Sequence, residues 1–351
     1  IYDFPVVYFP KFFHPDPSVV RQSGFLKPEL GSSDSLGSSI YAPYFHVISE
    51  NKDITVKPRL FDDNKFILQN EYRVKTKNSY TLMDFSFANG HSSSKNDRKN
   101  NRTHIFTNTI VNLNLEKYTS SVLEINYEKT SNDNYLKLFN LESPLLLKNN
   151  NVLESTVKLD LAHKDYNLIT SFDMYETLKG SNSDRYTYVL PSFNFSKNYN
   201  TENLNGSFNF ESDGNNTLKA TNVVESLVIN NLNYTSYDNF FDSGIKTNYE
   251  LSIKNVNSSG KKSKKYKTSP QSELLSAYIF NASLPLIKHT KKGLNTLEPK
   301  LSFRFSPHDM KNNKNLGRRI DVNNVYNINR LSISDSLEGG ESMTIGFNYK
   351  K

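Results

Sequence analysis

The first residues whose types could do chemistry are His14, Asp16 and Arg21, which place an imidazole, a carboxylate and a guanidinium close together in the chain. Such groups can bind a metal ion or exchange protons with a substrate. Pro15 and Pro17 lie among them, and proline neither donates to a strand ladder nor continues a helix. Because no single regular element would present the three side chains together, we interpret this segment as a structural connection.

The other groups that could act in catalysis or metal binding lack the spacing that such sites require. Ser23-Gly24 is not part of the G-x-S-x-G turn that presents a catalytic serine, and Gly339-Gly340 has no phosphate-loop context, so we interpret the two glycines as a tight turn or bulge. The remaining histidines are scattered, without metal-ligand spacing: His46, His91, His104, His163, His289 and His308. The sequence predicts neither an enzyme nor a metal or cofactor site.

Composition narrows the class of protein further. The 351-residue chain has no cysteine, which excludes disulfides and thiolate metal sites. Its net charge of +7 favours anionic partners, although much of it lies in residues 261–265, Lys-Lys-Ser-Lys-Lys. Such a run is first of all a solvated loop, with a dedicated anion site as the alternative. No stretch approaches the roughly 18 apolar residues of a membrane helix, and a mean hydropathy of -0.63 fits both a membrane barrel and a soluble β protein.

Apolar and polar residues alternate along most of the chain, with the period of two that is typical of β-strands. In residues 121–128, for example, Leu123 and Ile125 alternate with Glu124 and Asn126. About sixteen such segments have the length expected of membrane strands. One face is predicted to carry the apolar side chains of Leu113, Leu115, Leu123, Ile125, Leu159, Leu161, Leu251, Ile253, Phe303 and Phe305. The opposite face is predicted to carry Asn112, Asn114, Glu124, Lys158, Asp160, Glu250, Lys254 and Arg304.

Two architectures fit this alternation. In a soluble sandwich the apolar face lies in a shared core, whereas in a membrane barrel it faces lipid and the polar face lines the lumen. The barrel is favoured because charges recur on the polar face of strand after strand, and no Gly/Pro-rich linker divides the chain. The first 35 residues differ, since they are rich in proline, and are predicted to lie outside the barrel wall. Both ends of the sequence are interpreted as truncated.

Several short motifs, in a consistent order, resemble one known family. A link between a periplasmic jelly roll and a barrel is resembled by residues 5–10, 14–17 and 21–26. The first two barrel strands are resembled by residues 41–45 and 53–59. Later strands are resembled by residues 188–193 and 297–307. The most specific match comprises residues 321–326 (Asp-Val-Asn-Asn-Val-Tyr), 329–332 (Asn-Arg-Leu-Ser) and 337–340 (Leu-Glu-Gly-Gly). On these motifs the chain resembles the LptD family of lipopolysaccharide-assembly proteins, with a family signature at Asn324, Asn329, Arg330, Glu338, Gly339 and Gly340. It departs from the family pattern in lacking cysteine, and in having Ile333 where glycine is usual and Ser336 where arginine is usual.

The resemblance implies an all-β fold, a large antiparallel transmembrane β-barrel that is incomplete in this chain and preceded by the end of a periplasmic jelly-roll domain. Residues 36–351 would form the barrel. Residues 1–35 would form the end of the jelly roll and its connection to the barrel, at Pro15, Asp16, Pro17, Arg21 and Gly24. The implied location is the outer membrane of a Gram-negative cell, with the N-terminal part in the periplasm.

The implied function is the assembly and insertion of lipopolysaccharide into the outer leaflet, which is not an enzymatic activity. A passive porin or receptor barrel is the first alternative, and a soluble or surface adhesin is the second. The implied partners are lipopolysaccharide, a plug lipoprotein of the LptE type, a periplasmic bridge protein of the LptA type and outer-membrane lipids. No nucleic-acid partner is expected.

Pro43 and Pro58 lie fifteen residues apart, each in a segment that otherwise looks like a strand. Because proline has no N–H to donate, these residues would weaken the hydrogen-bonded ladder of the first strands. The alternative is that they only mark strand ends. The resemblance implies that the first and last strands form a lateral gate, and weakened pairing at Pro43 and Pro58 would ease the opening of that gate.

Overall fold

The structure is a computed structural model of the chain. It describes residues 21–33, 36–62, 65–91, 100–146, 151–179, 184–201, 203–290, 293–309, 312 and 316–351. Three of the predicted connection residues, Pro15, Asp16 and Pro17, lie outside the described residues.

Strands dominate the described residues, as the alternation predicts. They are β1 (Gly24–Phe25), β2 (Glu29–Ser33), β3 (Gly37–Tyr41), β4 (Tyr44–Ser49), β5 (Lys52–Phe61), β6 (Lys65–Lys75), β7 (Ser79–His91), β8 (Asn100–Asn112), β9 (Ser120–Thr130), β10 (Val152–Ala162), β11 (Tyr166–Thr177), β12 (Tyr186–Thr201), β13 (Gly206–Lys219), β14 (Val223–Ser236), β15 (Asn239–Phe240), β16 (Lys246–Lys261), β17 (Gln271–Ser283), β18 (Leu286–Thr290), β19 (Gly293–Ser306) and β20 (Gly340–Lys350). One short helix, α1, spans Tyr135–Leu138. In the ranges given above, no helix is long and apolar enough to cross a membrane.

The strands belong to one 20-stranded sheet whose pairings are antiparallel. This confirms the predicted all-β class and fits an incomplete β-barrel. The strand elements outnumber the predicted sixteen for two reasons. The elements β1, β2, β15 and β18 hold only two to five residues each, and β3 and β4 are two halves of one strand that is interrupted at Ala42-Pro43.

The chain divides into two compact units. Unit 1 comprises Ile1–Val111 and Ile125–Leu153. In it β4, β5, β6, β7 and β8 pair in chain order, with β3 also on β5. Helix α1 and the residues after it cover one face of these strands. Tyr135, Leu136 and Phe139 are buried there, and the Phe139 ring centroid is 5.8 Å from that of Phe61 on β5.

Unit 2 comprises Asn112–Glu124 and Glu154–Lys351. Its strands β11, β12, β13, β14, β16, β17, β19 and β20 pair in chain order. The connection between β19 and β20 folds back over one face of this sheet. Leu337 from that connection packs with Ile229, Val256, Leu275 and Ala277 of the strands in an apolar cluster. The sheet and its longest connection therefore share a core in this unit.

The two faces of the unit 2 strands differ as the alternation predicts. Leu251, Phe303 and Phe305 are 38%, 43% and 40% exposed, whereas Lys254 and Arg304 on the opposite face are 5% and 1% exposed. Leu251, Phe303 and Phe305 therefore lie outside the core that Leu337 shares with the strands, which is the outcome expected of residues that face lipid.

An aromatic row crosses the apolar face of unit 2. Phe208, Tyr234, Tyr249 and Tyr278 follow one another with ring centroids 4.8, 5.6 and 6.4 Å apart. Membrane strands carry such aromatic girdles where they meet the water interface. Leu113, Asn114 and Leu115, which the alternation places in a strand, follow the end of β8 and lie outside a strand. Leu161 also departs from the predicted exposure of this face, since it is buried. It lies at the end of β10, next to a turn at which aromatic rings cluster.

Candidate functional site

The structure brings Pro43 and Pro58 together in the ladder of unit 1. β3 and β4, which together we call the Pro43 strand, both pair with β5, one on each side of the interruption. At the interruption the Ala42 N–H donates to the Pro58 carbonyl at 3.2 Å. Pro43 thus lies at a strand break, as the alternative interpretation supposed, whereas Pro58 lies inside β5 and pairs with Leu68 on β6.

Each proline removes one hydrogen bond from the pairing of the Pro43 strand. The N–H and the carbonyl of a residue in an antiparallel strand point to the same neighbour. Since the Pro58 carbonyl accepts from Ala42, the N–H that Pro58 lacks would have faced Ala42. The Pro43 carbonyl accepts from the Leu26 N–H at 2.8 Å, so the missing N–H of Pro43 would have faced Leu26. The Pro43 strand therefore lacks one hydrogen bond on each of its two sides.

Residues 24–33 occupy the outer edge of the Pro43 strand. β1 pairs with β4, where Phe25 lies opposite Tyr44, and β2 forms a hairpin with β3, where Glu29 lies opposite Tyr41. Gly24, one of the predicted connection residues, is thus a strand residue. Strand alternation did not predict this pairing, because β1 is too short to show a period.

Charged side chains of alternating sign lie along one face of β5 and β6. Arg73 donates to Asp53 at 2.6 Å and also contacts Glu71, which accepts from Lys57 Nζ at 2.7 Å. Arg21, from the predicted connection, contacts the other oxygen of the Asp53 carboxylate. Asp53 is fully buried. This carboxylate therefore holds Arg21 against β5, the strand that carries Pro58.

Arg59, two residues beyond Lys57 on the same face, has no acidic partner among the described residues. Its guanidinium lies over two rings, 5.8 Å from the centroid of Tyr41 and 5.6 Å from that of Phe61. Its Nε atom is buried and has no hydrogen-bond partner. Arg59, Lys57 and Gln69 border a cavity of about 290 Å³. The cation is therefore held in place by aromatic rings rather than by a carboxylate.

A polar cluster in unit 1 was not predicted from the sequence. His104 on β8 lies opposite Ser86 on β7, and Ser86 Oγ is 2.6 Å from His104 Nδ1. His104 Nε2 is 3.2 Å from Asp84 Oδ1, and Ser86 Oγ is 2.5 Å from the hydroxyl of Tyr135 on α1. All four residues are buried.

The residue types are those of a Ser-His-Asp hydrolase, but the arrangement does not suit that chemistry. In such enzymes the serine faces Nε2 and the aspartate faces Nδ1, which is the reverse of what His104 shows. The Tyr135 hydroxyl also occupies a position next to Ser86 Oγ. Burial raises the pKa of Tyr135 to about 12, so the phenol stays protonated and able to donate. We interpret the cluster as the attachment of α1 to the sheet.

Five of the six signature residues lie in the connection between β19 and β20, which we call the signature segment (residues 319–339), and the sixth, Gly340, begins β20. Arg330 and Glu338 form a buried two-point ion pair, with Arg330 Nε 2.8 Å from one Glu338 oxygen and Nη2 in contact with the other. Arg304 on β19 donates to the carbonyls of Ile328 and Glu338 at 2.7 and 2.6 Å. Two arginines thus bind the segment to itself and to the sheet.

The two signature asparagines stabilise turns within the segment. Asn324 donates to the Arg319 carbonyl at 2.9 Å and accepts from the Asp321 N–H at 2.8 Å. Asn329 donates to the Ile333 carbonyl at 3.0 Å. Short amide side chains suit such turns because they can replace a backbone group. These residues shape the segment rather than present free chemistry.

Both positions that depart from the family pattern are buried: Ile333 is 4% exposed and Ser336 is 2% exposed. Lys254 on β16 donates to the Ser334 carbonyl between them at 2.6 Å. The segment ends at the glycine pair, where Gly340 has a φ of 89°. That conformation favours glycine and fits the predicted turn.

Apart from Lys261, which ends β16, the lysine run lies in the exposed connection between β16 and β17, as predicted. Lys265 from this run is 3.1 Å from Asp335 of the signature segment. Burial lowers the pKa of Lys265, but hydrogen bonds with Tyr266 and Asp335 outweigh it and leave that pKa above its ordinary value. Among the residues that the structure describes, no group of three or more histidine or acidic side chains is arranged to hold a metal ion.

Comparison with known proteins agrees with the resemblance seen in the sequence. Residues 100–350 match the family model "LptD: LPS transport system D". The LPS-assembly protein LptD of Pseudomonas putida (strain W619) is 33% identical over 101 residues, which are 29% of this chain and 10% of that protein. The LPS-assembly protein LptD of Ectopseudomonas mendocina (strain ymp) is 38% identical over 77 residues, 22% of this chain and 8% of that protein.

A third relative, the LPS-assembly protein LptD of Pseudomonas aeruginosa (strain UCBPP-PA14), is 33% identical over 87 residues, 25% of this chain and 9% of that protein. The chain thus spans about a tenth of the length of the curated relatives that it matches. The family match itself covers most of the chain, including the whole signature segment. The chain belongs to the LptD family of LPS transport proteins.

Proposed function

We propose that this chain is the barrel part of an outer-membrane protein that inserts lipopolysaccharide into the outer leaflet through a lateral gate. The observation that carries the proposal is the Pro43 strand, which lacks a hydrogen bond on each side. Family membership supplies the substrate class, since the three relatives compared above are named as LPS-assembly proteins.

The gate is the outer edge of the Pro43 strand. Opening it requires that the strand on this edge, β1 in the structure, separates from β4. That pairing is short, since β1 has two residues, and Pro43 removes one of its bonds. The acyl chains of the substrate then pass sideways into the membrane, while its sugars follow the polar face of the strands. No covalent bond is made or broken, so the proposed activity is not enzymatic.

The exposed apolar face supports the membrane location. Leu251, Phe303 and Phe305 lie on it, and the aromatic row crosses it. The N-terminal part, which includes Arg21, would lie in the periplasm and meet a bridge protein of the LptA type. The polar face would enclose a plug lipoprotein of the LptE type.

A passive porin or receptor barrel is the alternative. Such a barrel needs no strand weakened on both sides, because its wall stays closed. The Pro43 strand therefore favours lateral release over passive conduction.

A reversible crosslink across the proposed gate tests lateral release. Phe25 and Tyr44 lie opposite each other, and the chain has no cysteine of its own, so Phe25→Cys with Tyr44→Cys allows a single disulfide in this chain. In the full-length protein, oxidation is expected to stop delivery of lipopolysaccharide to the cell surface, and reduction is expected to restore it.

The matched control is Thr81→Cys with Thr109→Cys, which joins β7 to β8 at a position where the two hydroxyls are 3.0 Å apart. Its oxidation is expected to leave delivery unchanged, since this pair lies in a continuous ladder. If the disulfide forms in the Phe25→Cys/Tyr44→Cys protein and delivery nevertheless continues at the normal rate, lateral release at this edge is wrong.

A further inference from the structure

We propose that Arg59 and Lys57 form a binding site for a phosphate ester of the substrate, beside the gate. This inference rests on the proposed function, because it names the chemical group of the glycolipid that the inner wall of the gate recognises. The site consists of Arg59, Lys57 and the cavity of about 290 Å³ that they border.

The geometry follows from the position of Pro58. Lys57 and Arg59 are its immediate neighbours, and side chains alternate along a strand, so both cations lie on the opposite face from Pro58. The register places Tyr41 opposite Arg59 on the Pro43 strand. Tyr41 also borders the cavity. The two cations and the weakened strand therefore meet at one place in unit 1.

Arg59 differs from the neighbouring cations on this face, each of which has an acidic partner. Lys57 pairs with Glu71, and both Arg73 and Arg21 pair with Asp53. Arg59 has aromatic rings on its faces and a buried Nε with no hydrogen-bond partner. A buried polar group without a partner costs free energy. An anion that entered the cavity would supply the missing acceptor.

The donors favour a phosphate over a neutral ligand. A guanidinium presents paired N–H groups that match two phosphate oxygens, and a lysine ammonium adds a compact charge. Lys57 can turn towards the ligand without leaving Glu71 unpaired, because Arg73 also contacts Glu71. Glu29 and Glu142 border the cavity too, but both residues are exposed, so water and salt screen their charges.

The inference explains how a charged glycolipid could pass the gate. A phosphate that crosses the apolar layer without a counter-charge incurs a large desolvation penalty. If the acyl chains leave through the gate while the phosphate stays on the polar side of the wall, cations next to the gate lower that penalty. Arg59 and Lys57 stand at this position.

Binding measurements on the purified full-length protein, with its partner proteins, test the site. The probes are lipopolysaccharide in detergent micelles, the same lipopolysaccharide after phosphatase treatment, and inorganic phosphate. The wild-type protein is expected to bind the phosphorylated form about ten- to hundredfold more tightly, which is the range of one or two charge-assisted hydrogen bonds.

Arg59→Gln is expected to remove this preference and to leave the affinity for the phosphatase-treated form unchanged. Arg59→Lys, which keeps the charge, is expected to retain part of it, and it serves as the test if the glutamine variant fails to fold. The control is Lys300→Gln, which removes a half-buried lysine that pairs with Glu298 on β19. It is expected to keep the full preference.

The outcomes separate this inference from the proposed function. If the wild-type protein binds both glycolipid forms equally, or if both Arg59 variants keep the full preference, the phosphate site is wrong while lipopolysaccharide transport stands. If inorganic phosphate binds at Arg59 as tightly as the glycolipid does, the site is not part of the substrate path. Failure of the wild-type protein to bind any lipopolysaccharide would instead contradict the proposed function.

Discussion

At the scale of single residues, Pro43 and Pro58 act through two hydrogen bonds that cannot form. A net backbone hydrogen bond is worth roughly 0.5–1.5 kcal/mol. Opening at the edge next to β1 breaks only the bonds on that side. The bond missing at Pro43 therefore lowers the cost of the proposed opening by about 0.5–1.5 kcal/mol. Since about 1.4 kcal/mol is a factor of ten, the open population of the proposed gate would rise by about two- to tenfold.

Replacing both prolines with valine is therefore expected to slow lipopolysaccharide insertion by about two- to tenfold, through the bond restored at residue 43. Valine supplies the N–H groups that would face Leu26 and Ala42, and it suits a strand. The rate at which lipopolysaccharide reaches the cell surface measures the effect. The control is Pro299→Val in β19, a proline inside a strand of unit 2, where no change of rate is expected. An unchanged rate in the Pro43→Val/Pro58→Val protein, correctly folded, would show that these residues do not set the opening cost.

At the scale of elements, each unit has a connection that folds back over its sheet and is held there by polar groups. Helix α1 is attached through the Tyr135 hydroxyl to Ser86. The signature segment is attached through Arg304, and its shape depends on the ion pair between Arg330 and Glu338. These connections contribute Tyr135 to the polar cluster and carry most of the family signature.

The Arg330–Glu338 pair gives the sharpest prediction at this scale. Arg330→Met is expected to destabilise the signature segment by about 3–5 kcal/mol, because the buried Glu338 carboxylate loses its two-point ion pair. The double variant Arg330→Met/Glu338→Met is expected to be less destabilised than Arg330→Met, since the Glu338 carboxylate is removed together with its partner. The rate of proteolytic cleavage within residues 319–339, together with thermal unfolding of the purified protein, measures both. If the double variant is cleaved faster than the single one, the two charges do not act as a pair.

At the scale of the whole molecule, the proposed barrel needs a partner inside it. Charged residues recur on the polar face of its strands, and a wide pore lined by charges would conduct ions. We therefore expect the full-length protein to co-purify in mild detergent with a plug lipoprotein of the LptE type. Reconstituted in a planar bilayer, the complex is expected to be closed to ions, and removal of the lipoprotein is expected to open it. A barrel that is recovered alone, stable and non-conducting would contradict the presence of a plug.

The strands, and the face on which each side chain lies, could be predicted from the sequence because both depend on neighbouring residues. A side chain's face depends only on whether its position is odd or even along the strand. This is why the exposure of Phe303 and the burial of Arg304 could be predicted from neighbouring residues alone. The family could also be recognised from the sequence, since its signature motifs are short and follow one another in order.

The contacts of these same residues were decided only by the tertiary structure. Arg304 donates a hydrogen bond to Glu338, 34 residues away in the sequence, and Lys254 donates one to Ser334, 80 residues away. Ser86, His104 and Tyr135 come together from two strands and a helix. Such contacts depend on strand register and on the path of each connection, which many interactions determine jointly. These contacts therefore cannot be predicted from a local pattern in the sequence.

The proposed gate shows the same division. The sequence by itself determined that Pro43 and Pro58 lack donors, and that the chain alternates in the manner of the LptD family. Only the tertiary structure decided that the two prolines weaken opposite sides of one strand, that β1 occupies its edge, and that Arg59 has no acidic partner among the described residues there. The physical reason is that a missing N–H is a property of one residue, whereas the bond it would have made belongs to a pair that exists only once the strands are in register.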